Sequence, residues 1–182
     1  YPGKYGTFEL GSQMNPDPNG MEITGLWTVA QGLLVTTESS VFLITPSSDG
    51  IRFRSSTLST NIGCIAPSSF GTMLDGSSIW LGREGFYRFD GQSLSLISDA
   101  IHTTIQTINW GWALGACAVV DPVSKEYRCW VPTDGNTINN LCLIWDGAGW
   151  RRRLGENLRA VCLTRDHRKY MLGAGEAIEL TT

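Results

Sequence analysis

The side chains that could do metal, acid–base or nucleophilic chemistry are few in this sequence and form no familiar pattern. The two histidines, His102 and His167, are far apart, and neither H-E-x-x-H nor an EF-hand loop occurs. A G-x-S-x-G nucleophile elbow and a G-x-x-x-x-G-K-[ST] phosphate loop are also absent. The sequence therefore predicts no metal, no cofactor and no enzymatic activity.

Five carboxylates are candidates for the pair of acids that glycoside hydrolysis requires. They are Asp75, Glu84, Asp90, Glu126 and Asp146. Each lies in or beside a predicted turn, where acidic side chains bind backbone N–H groups and stay solvated. A role in turns is favoured over catalysis, and a glycoside hydrolase is the third functional alternative.

Tryptophan is abundant, with seven copies. Trp80, Trp130 and Trp145 fall at strand positions and are predicted to lie in the core. Trp110 and Trp112 stand on either side of a glycine in a predicted junction, and we expect them to form a surface aromatic pair. An exposed indole presents a flat apolar face on which a sugar ring can stack.

Three adjacent arginines, Arg151, Arg152 and Arg153, directly follow Trp150. On a strand they point to alternate faces, so they cannot form one grip on a ligand. Two interpretations stay open. The arginines protect an edge strand from unwanted pairing, or they form ion pairs with a neighbouring subunit.

Composition and charge exclude several classes of protein. Hydrophobic residues make up 42% of the 182, which argues against a disordered chain, and no apolar run reaches the ~20 residues of a membrane-spanning helix. The net charge is -3, and the chain lacks the dense cluster of basic side chains that nucleic-acid binding requires. Five scattered cysteines without a C-x-x-C pair predict buried free thiols and assembly in a reducing cytoplasm.

The elements that must position these residues are short strands. Residues Tyr1–Gly20 are rich in proline and glycine and predict an arm or connector, followed by one domain from 21 to 182. The chain starts without a methionine or a signal-peptide pattern, which is typical of a piece of a longer polypeptide. From Met21 onward, apolar and polar residues alternate in short runs separated by turn residues, which predicts antiparallel hairpins.

The hairpins recur at a regular spacing. The second strand of each unit falls near Leu34, Ile79, Arg128 and Tyr170, at intervals of roughly 40 to 50 residues. Three units contain four predicted strands and an Asp-Gly turn, and the fourth contains three strands. This period predicts an all-β, β-propeller-like array of about four four-stranded units, with a β-sandwich as the alternative.

One segment departs from the strand pattern. Ser98 and Asp99 resemble a helix cap, and Ile101, Ile105 and Ile108 follow at helical spacing. The sequence therefore predicts one short helix of about three turns, inserted between the second and third units as a packed connector.

The second unit also carries a resemblance to a known family. The stretch from Gly76 to Gly91, with its LGREGFYRFDG hairpin, runs into Ile97–Ile101 and resembles β-propeller-like virion proteins of tailed bacteriophages. The stretches Leu33–Ile44 and Ala118–Tyr127 are similar to the same family. The resemblance implies a structural protein of the neck or tail nozzle, built into rings of identical subunits and without enzymatic activity.

These observations together predict a structural virion protein of a tailed bacteriophage. Its expected partners are identical copies in a ring and other neck or tail proteins, and phage DNA would pass through the ring without specific binding. Its expected localisation is the virion, after assembly in the host cytoplasm. The alternative is a receptor- or glycan-binding β-propeller module of a phage tail or cell-surface protein, with Trp110 and Trp112 in its binding surface.

Overall fold

A computed structural model describes residues 16–17, 19–47, 53–164, 169–173 and 177–180. Of these residues, 52% lie in strands and 9% in helices, which confirms a mostly β fold. Most of the predicted arm at residues 1–20 lies outside the described residues. The described chain contains no helix with the length and apolar character needed to span a membrane.

The strands form four antiparallel sheets that follow one another along the chain, and in each sheet every strand pairs with the next. Sheet 1 contains β1 Ile23–Val29, β2 Gly32–Thr37, β3 Val41–Pro46 and β4 Phe53–Ser59. Sheet 2 contains β5 Gly71–Thr72, β6 Ser78–Gly82, β7 Gly85–Phe89 and β8 Leu94–Leu96. Sheet 3 contains β9 Cys117–Asp121, β10 Glu126–Val131, β11 Asn139–Trp145 and β12 Trp150–Leu158. Sheet 4 contains β13 Ala160–Leu163, β14 Lys169–Leu172 and β15 Ala177–Leu180.

The predicted strand count is confirmed: three described sheets have four strands and the last has three. In sheets 2 and 3, a 3-10 helix precedes the first strand. β5 has only two residues and follows a 3-10 helix at Pro67–Ser69, and β9 follows a 3-10 helix at Ala113–Gly115. Pro67 favours a 3-10 helix over a strand at its position, because its ring fixes φ near a helical value and it lacks an N–H for strand pairing.

The Asp-Gly turns form as predicted wherever they lie in the described residues. Asp90 Oδ1 accepts hydrogen bonds from the N–H groups of Gln92 and Ser93, at 2.9 and 2.7 Å. Asp146 Oδ1 does the same two and three residues further on. Gly91 and Gly147 adopt φ of 98° and 96°, a conformation that glycine tolerates without strain. The third such turn, Asp49-Gly50, lies outside the described residues.

The predicted helix exists but is shorter than three turns. A 3-10 helix at Asp99–Ile101 continues into α1, which spans only His102–Ile105. The prediction of a Ser98 cap is wrong, because its Oγ accepts a hydrogen bond at 2.9 Å from the Phe86 N–H in β7. The helix ends early because Ile108 forms a β-bridge with Thr133, beyond the end of β10. Ile105 and Ile108 are nevertheless buried, as their spacing predicted.

Each sheet packs against the next through its own apolar core. The core between sheets 1 and 2 contains Leu34 and Trp80, and the core between sheets 2 and 3 contains Phe86 and Tyr127. The core between sheets 3 and 4 contains Trp130 and Met171, among others. These three cores are distinct clusters of buried side chains, so the described sheets form a succession.

The two middle sheets are covered on both faces. In β6, Ile79 and Leu81 join the core with sheet 3, while Trp80, between them, joins the core with sheet 1. In β10, Cys129 likewise faces sheet 2 and Trp130 faces sheet 4. A two-sheet sandwich buries one face of each sheet, so the sandwich alternative does not fit these residues.

The five cysteines carry free thiols, four of them buried and Cys162 exposed. Cys117 and Cys142 pair with Trp130 from opposite sides, through β9 and β11. They are therefore two strand spacings apart, about 9.5 Å, which is beyond the reach of a disulfide. Burial raises the pKa of each of these two thiols to about 12. Both act as small apolar side chains in the core between sheets 3 and 4.

Candidate functional site

The segment that carries the predicted aromatic pair is a compact turn between the helix and sheet 3. The Trp112 N–H donates to the Asn109 carbonyl at 2.9 Å, and the Gly115 N–H donates to the Trp112 carbonyl at 3.0 Å. Ala113 is fully buried beneath the turn. Trp112 and Leu114 point outward instead, with 56% and 71% of their surface exposed.

This turn is fastened to the hairpin loop between β10 and β11. The Asp134 N–H donates to the Thr107 carbonyl at 2.9 Å, and the Asn109 N–H donates to the Pro132 carbonyl at 2.8 Å. Asn109 also donates from its side-chain Nδ2 to the Asn136 carbonyl at 2.9 Å. Three hydrogen bonds therefore fix the inserted segment against the loop, and the aromatic turn has a defined position.

A cleft of about 440 Å³ lies between these two segments and the end of β12. We call it the Trp112 cleft, and its lining is Gly111, Trp112, Leu114, Gly115, Thr137, Ile138, Asn139, Leu158 and Arg159. Buried Asn139 joins two of its walls, because its Nδ2 donates to the Gly115 carbonyl at 2.8 Å. The cleft is thus formed by three segments that are distant in the sequence.

The structure separates the two tryptophans of the predicted surface pair. Trp110 is 39% exposed but does not line the cleft, whereas Trp112 forms part of its wall. Leu114, Ile138 and Arg159 also line the cleft, and no sequence pattern predicted them there. No local spacing relates these three positions, since they come together only through the packing of the turn, the hairpin loop and β12.

The other tryptophans behave largely as predicted. Trp80 and Trp130 are fully buried. Trp145 is only half-buried at the end of β11, and its ring packs at a tilt of 45° against that of Trp150, with the ring centroids 5.3 Å apart. The Trp150 Nε1 donates to the Ile97 carbonyl at 2.7 Å, which joins sheet 3 to the segment after sheet 2.

The three arginines lie on β12, which is an edge strand of sheet 3, and all three are exposed. Arg151 forms an ion pair with Glu126, and Arg153 forms one with Glu156 at 2.9 Å. Arg152 points to the opposite face and forms no ion pair with any described residue. Two of the three predicted subunit contacts therefore have partners in their own chain.

Glu126 is the centre of a cluster of charged side chains in sheet 3. It accepts hydrogen bonds from Arg128 at 2.8 Å and from Arg151. Arg128 also lies 3.6 Å from Asp121. Burial raises the pKa of the Glu126 carboxyl, but the hydrogen bonds and charges of the two arginines outweigh this effect and lower it overall. The cluster is charge-compensated and holds neighbouring strands together.

The remaining candidate carboxylates act in turns. Asp75 accepts hydrogen bonds from Ser77, which lower the pKa of its carboxyl, and it also pairs with Arg88 at 2.7 Å. The pKa values of Asp90 and Asp146 are lowered by backbone hydrogen bonds in their turns. Glu84 accepts a hydrogen bond from the Tyr87 hydroxyl at 3.0 Å. These contacts fit the structural role that the sequence favoured.

Within the described residues no three histidine, cysteine or acidic side chains are grouped closely enough to hold a metal ion. The Nε2 of His102 lies 3.0 Å from the Gln106 amide nitrogen at an exposed position. His167, predicted to lie in a charged turn, is outside the described residues.

The fold and the cleft define a mostly β protein of four successive antiparallel sheets with an aromatic cleft at one end of the third. Compared with known proteins, the sequence matches no protein-family model and no curated protein.

Proposed function

We propose that this chain is a structural virion protein of a tailed bacteriophage and forms part of the neck or tail assembly. The observation that carries the proposal is the family-like stretch Gly76–Gly91. It coincides with β6, β7 and their connecting turn, so the resemblance follows a complete structural unit.

We further propose that the four sheets are arranged as a β-propeller-like array. Three features support this arrangement: each sheet is a meander, the sheets follow chain order, and each packs against the next through a separate core. Closure of such an array requires a fourth interface, between sheets 4 and 1.

Contacts between identical copies are proposed to involve β12. Arg152 is the best candidate among its three arginines, because Arg151 and Arg153 already pair with carboxylates of their own chain. A heterologous contact of this kind generates a ring when its rotation closes on itself. The chain's net charge of -3 is compatible with a channel wall that does not grip DNA.

The proposal is tested on virions of the virus that encodes the sequence. Mass spectrometry should detect the chain in purified particles, and electron microscopy should place it in repeated copies around the tail axis. Particles that contain no copy, or a chain that is found only in infected-cell extract, would contradict the structural role.

A single charge reversal tests the proposed contact. Arg152→Glu should greatly reduce incorporation into particles while leaving the unfolding midpoint of the isolated chain unchanged. Arg54→Glu is the control, because Arg54 is also an exposed arginine on an outer strand, in sheet 1. Normal incorporation of Arg152→Glu would refute the role of β12. Reversal of all three arginines is less informative, since it would also break the pair between Arg151 and Glu126.

A further inference from the structure

We propose that the Trp112 cleft binds an acidic saccharide, with the indole of Trp112 stacked on the sugar ring and Arg159 paired with its carboxylate. The sugar would be a hexuronate or a sialate, which share this chemistry. This inference does not depend on the proposed place in the virion, because it concerns a ligand site on the isolated chain.

The first argument is the shape of the cleft. Its volume of about 440 Å³ lies within the range of roughly 300–1,000 Å³ that small-ligand sites occupy. Its walls are joined by the hydrogen bond from Asn139 to Gly115, and the aromatic turn is fastened by the bonds of Asn109. A ligand would therefore enter a formed site without ordering a loop, which removes one cost of binding.

The second argument is the distribution of apolar and polar groups. Trp112 and Leu114 present exposed apolar surface, and half-buried Ile138 continues it along the cleft. Thr137 and Arg159, both exposed, add hydrogen-bonding groups to the same lining. A pyranose ring has one apolar C–H face and a rim of hydroxyl groups, so it matches both parts, whereas a purely apolar ligand would desolvate the polar groups without compensation.

The third argument is charge. Arg159 is held in place through its backbone, since its N–H donates to the Leu172 carbonyl at 2.8 Å. Its guanidinium forms no ion pair with any residue in the described part of the chain. Arg153, in the same strand region, is instead neutralised by Glu156. A carboxylate on the ligand would supply the counter-charge that no described residue provides to Arg159, in the planar two-point geometry that guanidinium groups favour.

The experiment is calorimetric titration of the purified chain with trigalacturonate and with 3′-sialyllactose, and with maltotriose as the neutral saccharide. We expect saturable binding of at least one acidic sugar, at least about tenfold tighter than maltotriose. Affinity for the acidic sugar should fall as the salt concentration rises, because an exposed ion pair is screened. Failure of both acidic sugars to bind, or equal affinity for maltotriose, would overturn the proposal.

Matched variants locate the site. Trp112→Ala should weaken binding at least about tenfold, and Trp112→Phe should restore part of the affinity because it keeps a stacking face. Trp110→Ala is the control: it removes a partly exposed tryptophan that does not line the cleft, and its affinity should match that of the unaltered chain. Equal losses for Trp110→Ala and Trp112→Ala would refute the assignment.

Arg159→Gln separates charge recognition from stacking. It should weaken binding of the acidic sugar about tenfold and leave any binding of maltotriose unchanged; an unchanged affinity for the acidic sugar would refute the role of Arg159. The unfolding midpoint of each variant is measured first, and an exposed position such as Arg159 is expected to leave it unaltered. Trp112→Ala should still enter virions normally, so failure of the saccharide site and failure of the assembly role give different results.

Discussion

Replacing Tyr127 by phenylalanine removes one hydroxyl group from the interface between sheets 2 and 3. Tyr127 is fully buried, and its hydroxyl donates to the Ser69 carbonyl at 2.6 Å. Ser69 in turn donates from its Oγ to the Ala66 carbonyl and accepts the Leu81 N–H. The tyrosine therefore links β10 to the buried Ser69 of the 3-10 helix that precedes β5, across the boundary between two sheets.

The size of the effect follows from what the variant leaves behind. Phenylalanine keeps the ring and its edge-on contact with Phe86, whose centroid is 6.0 Å away. It leaves the Ser69 carbonyl without the donor that now satisfies it in a buried position. Loss of such a bond costs about 1–3 kcal/mol, and we expect a decrease of about 2 kcal/mol in the free energy of unfolding. With a urea dependence of about 2 kcal/mol per molar, the midpoint should fall by about 1 M.

The assay is equilibrium urea unfolding, followed by tryptophan fluorescence and by circular dichroism. Tyr87→Phe is the matched control, because the Tyr87 hydroxyl donates to exposed Glu84 in a turn rather than to a buried carbonyl. Its expected effect is within about 0.5 kcal/mol. An unchanged midpoint for Tyr127→Phe, or the same shift for both variants, would refute the claim that this buried bond stabilises the packing of sheets 2 and 3.

Three other outcomes are expected. Gly71→Ala should lower the free energy of unfolding by about 1–3 kcal/mol in the same urea assay, because the new Cβ would lie 2.8 Å from Val120 Cγ2 across the sheet boundary, whereas Gly149→Ala, with open space around it, should have little effect. A thiol reagent should modify only Cys162 in the folded chain and all five cysteines in denaturant. The free energy of unfolding should fall as the pH rises from about 9 toward 12, by up to about 1.4 kcal/mol per pH unit for each buried thiol. The reason is that the thiols lose their protons in the unfolded state, whereas burial retains these protons in the folded state. Chemical denaturation at several pH values tests this prediction, and a free energy of unfolding that does not change with pH would contradict it. The buried thiols concerned are Cys64, Cys117, Cys129 and Cys142.

Several features of the fold could be predicted from the sequence because they depend on neighbouring residues. Short runs of apolar, β-branched and aromatic residues bounded by turn residues located the second strands, such as those around Ile79 and Arg128, and separated the chain into four units. The Asp90 and Asp146 turns also followed from local chemistry, since an aspartate binds the N–H groups just after it and the next glycine takes a positive φ. Each of these features depends only on residues a few positions apart in the sequence.

The length of the inserted helix could not be predicted from the sequence. Its isoleucines predicted the buried face correctly, but its length was set by contacts with other elements. Ser98 binds Phe86 of β7 instead of capping the helix, and Ile108 pairs with Thr133. Phe86 lies in sheet 2 and Thr133 lies in the loop after β10, so the spacing within the helix carried no information about either partner.

The sequence by itself also predicted that Trp110 and Trp112 would lie at the surface and that Arg151–Arg153 would point to alternate faces of a strand. Only the tertiary structure decided what these residues face. It brought Arg151 to Glu126 of β10, whereas Arg153 pairs with Glu156 on its own strand and Arg152 lies on the other face of the sheet. It also placed Trp112, but not Trp110, in a cleft with Arg159. The physical reason is that a surface position in a turn or on a strand follows from neighbouring residues, whereas a cleft, or an ion pair such as that of Arg151 with Glu126, requires residues far apart in the sequence to be brought together by the tertiary fold.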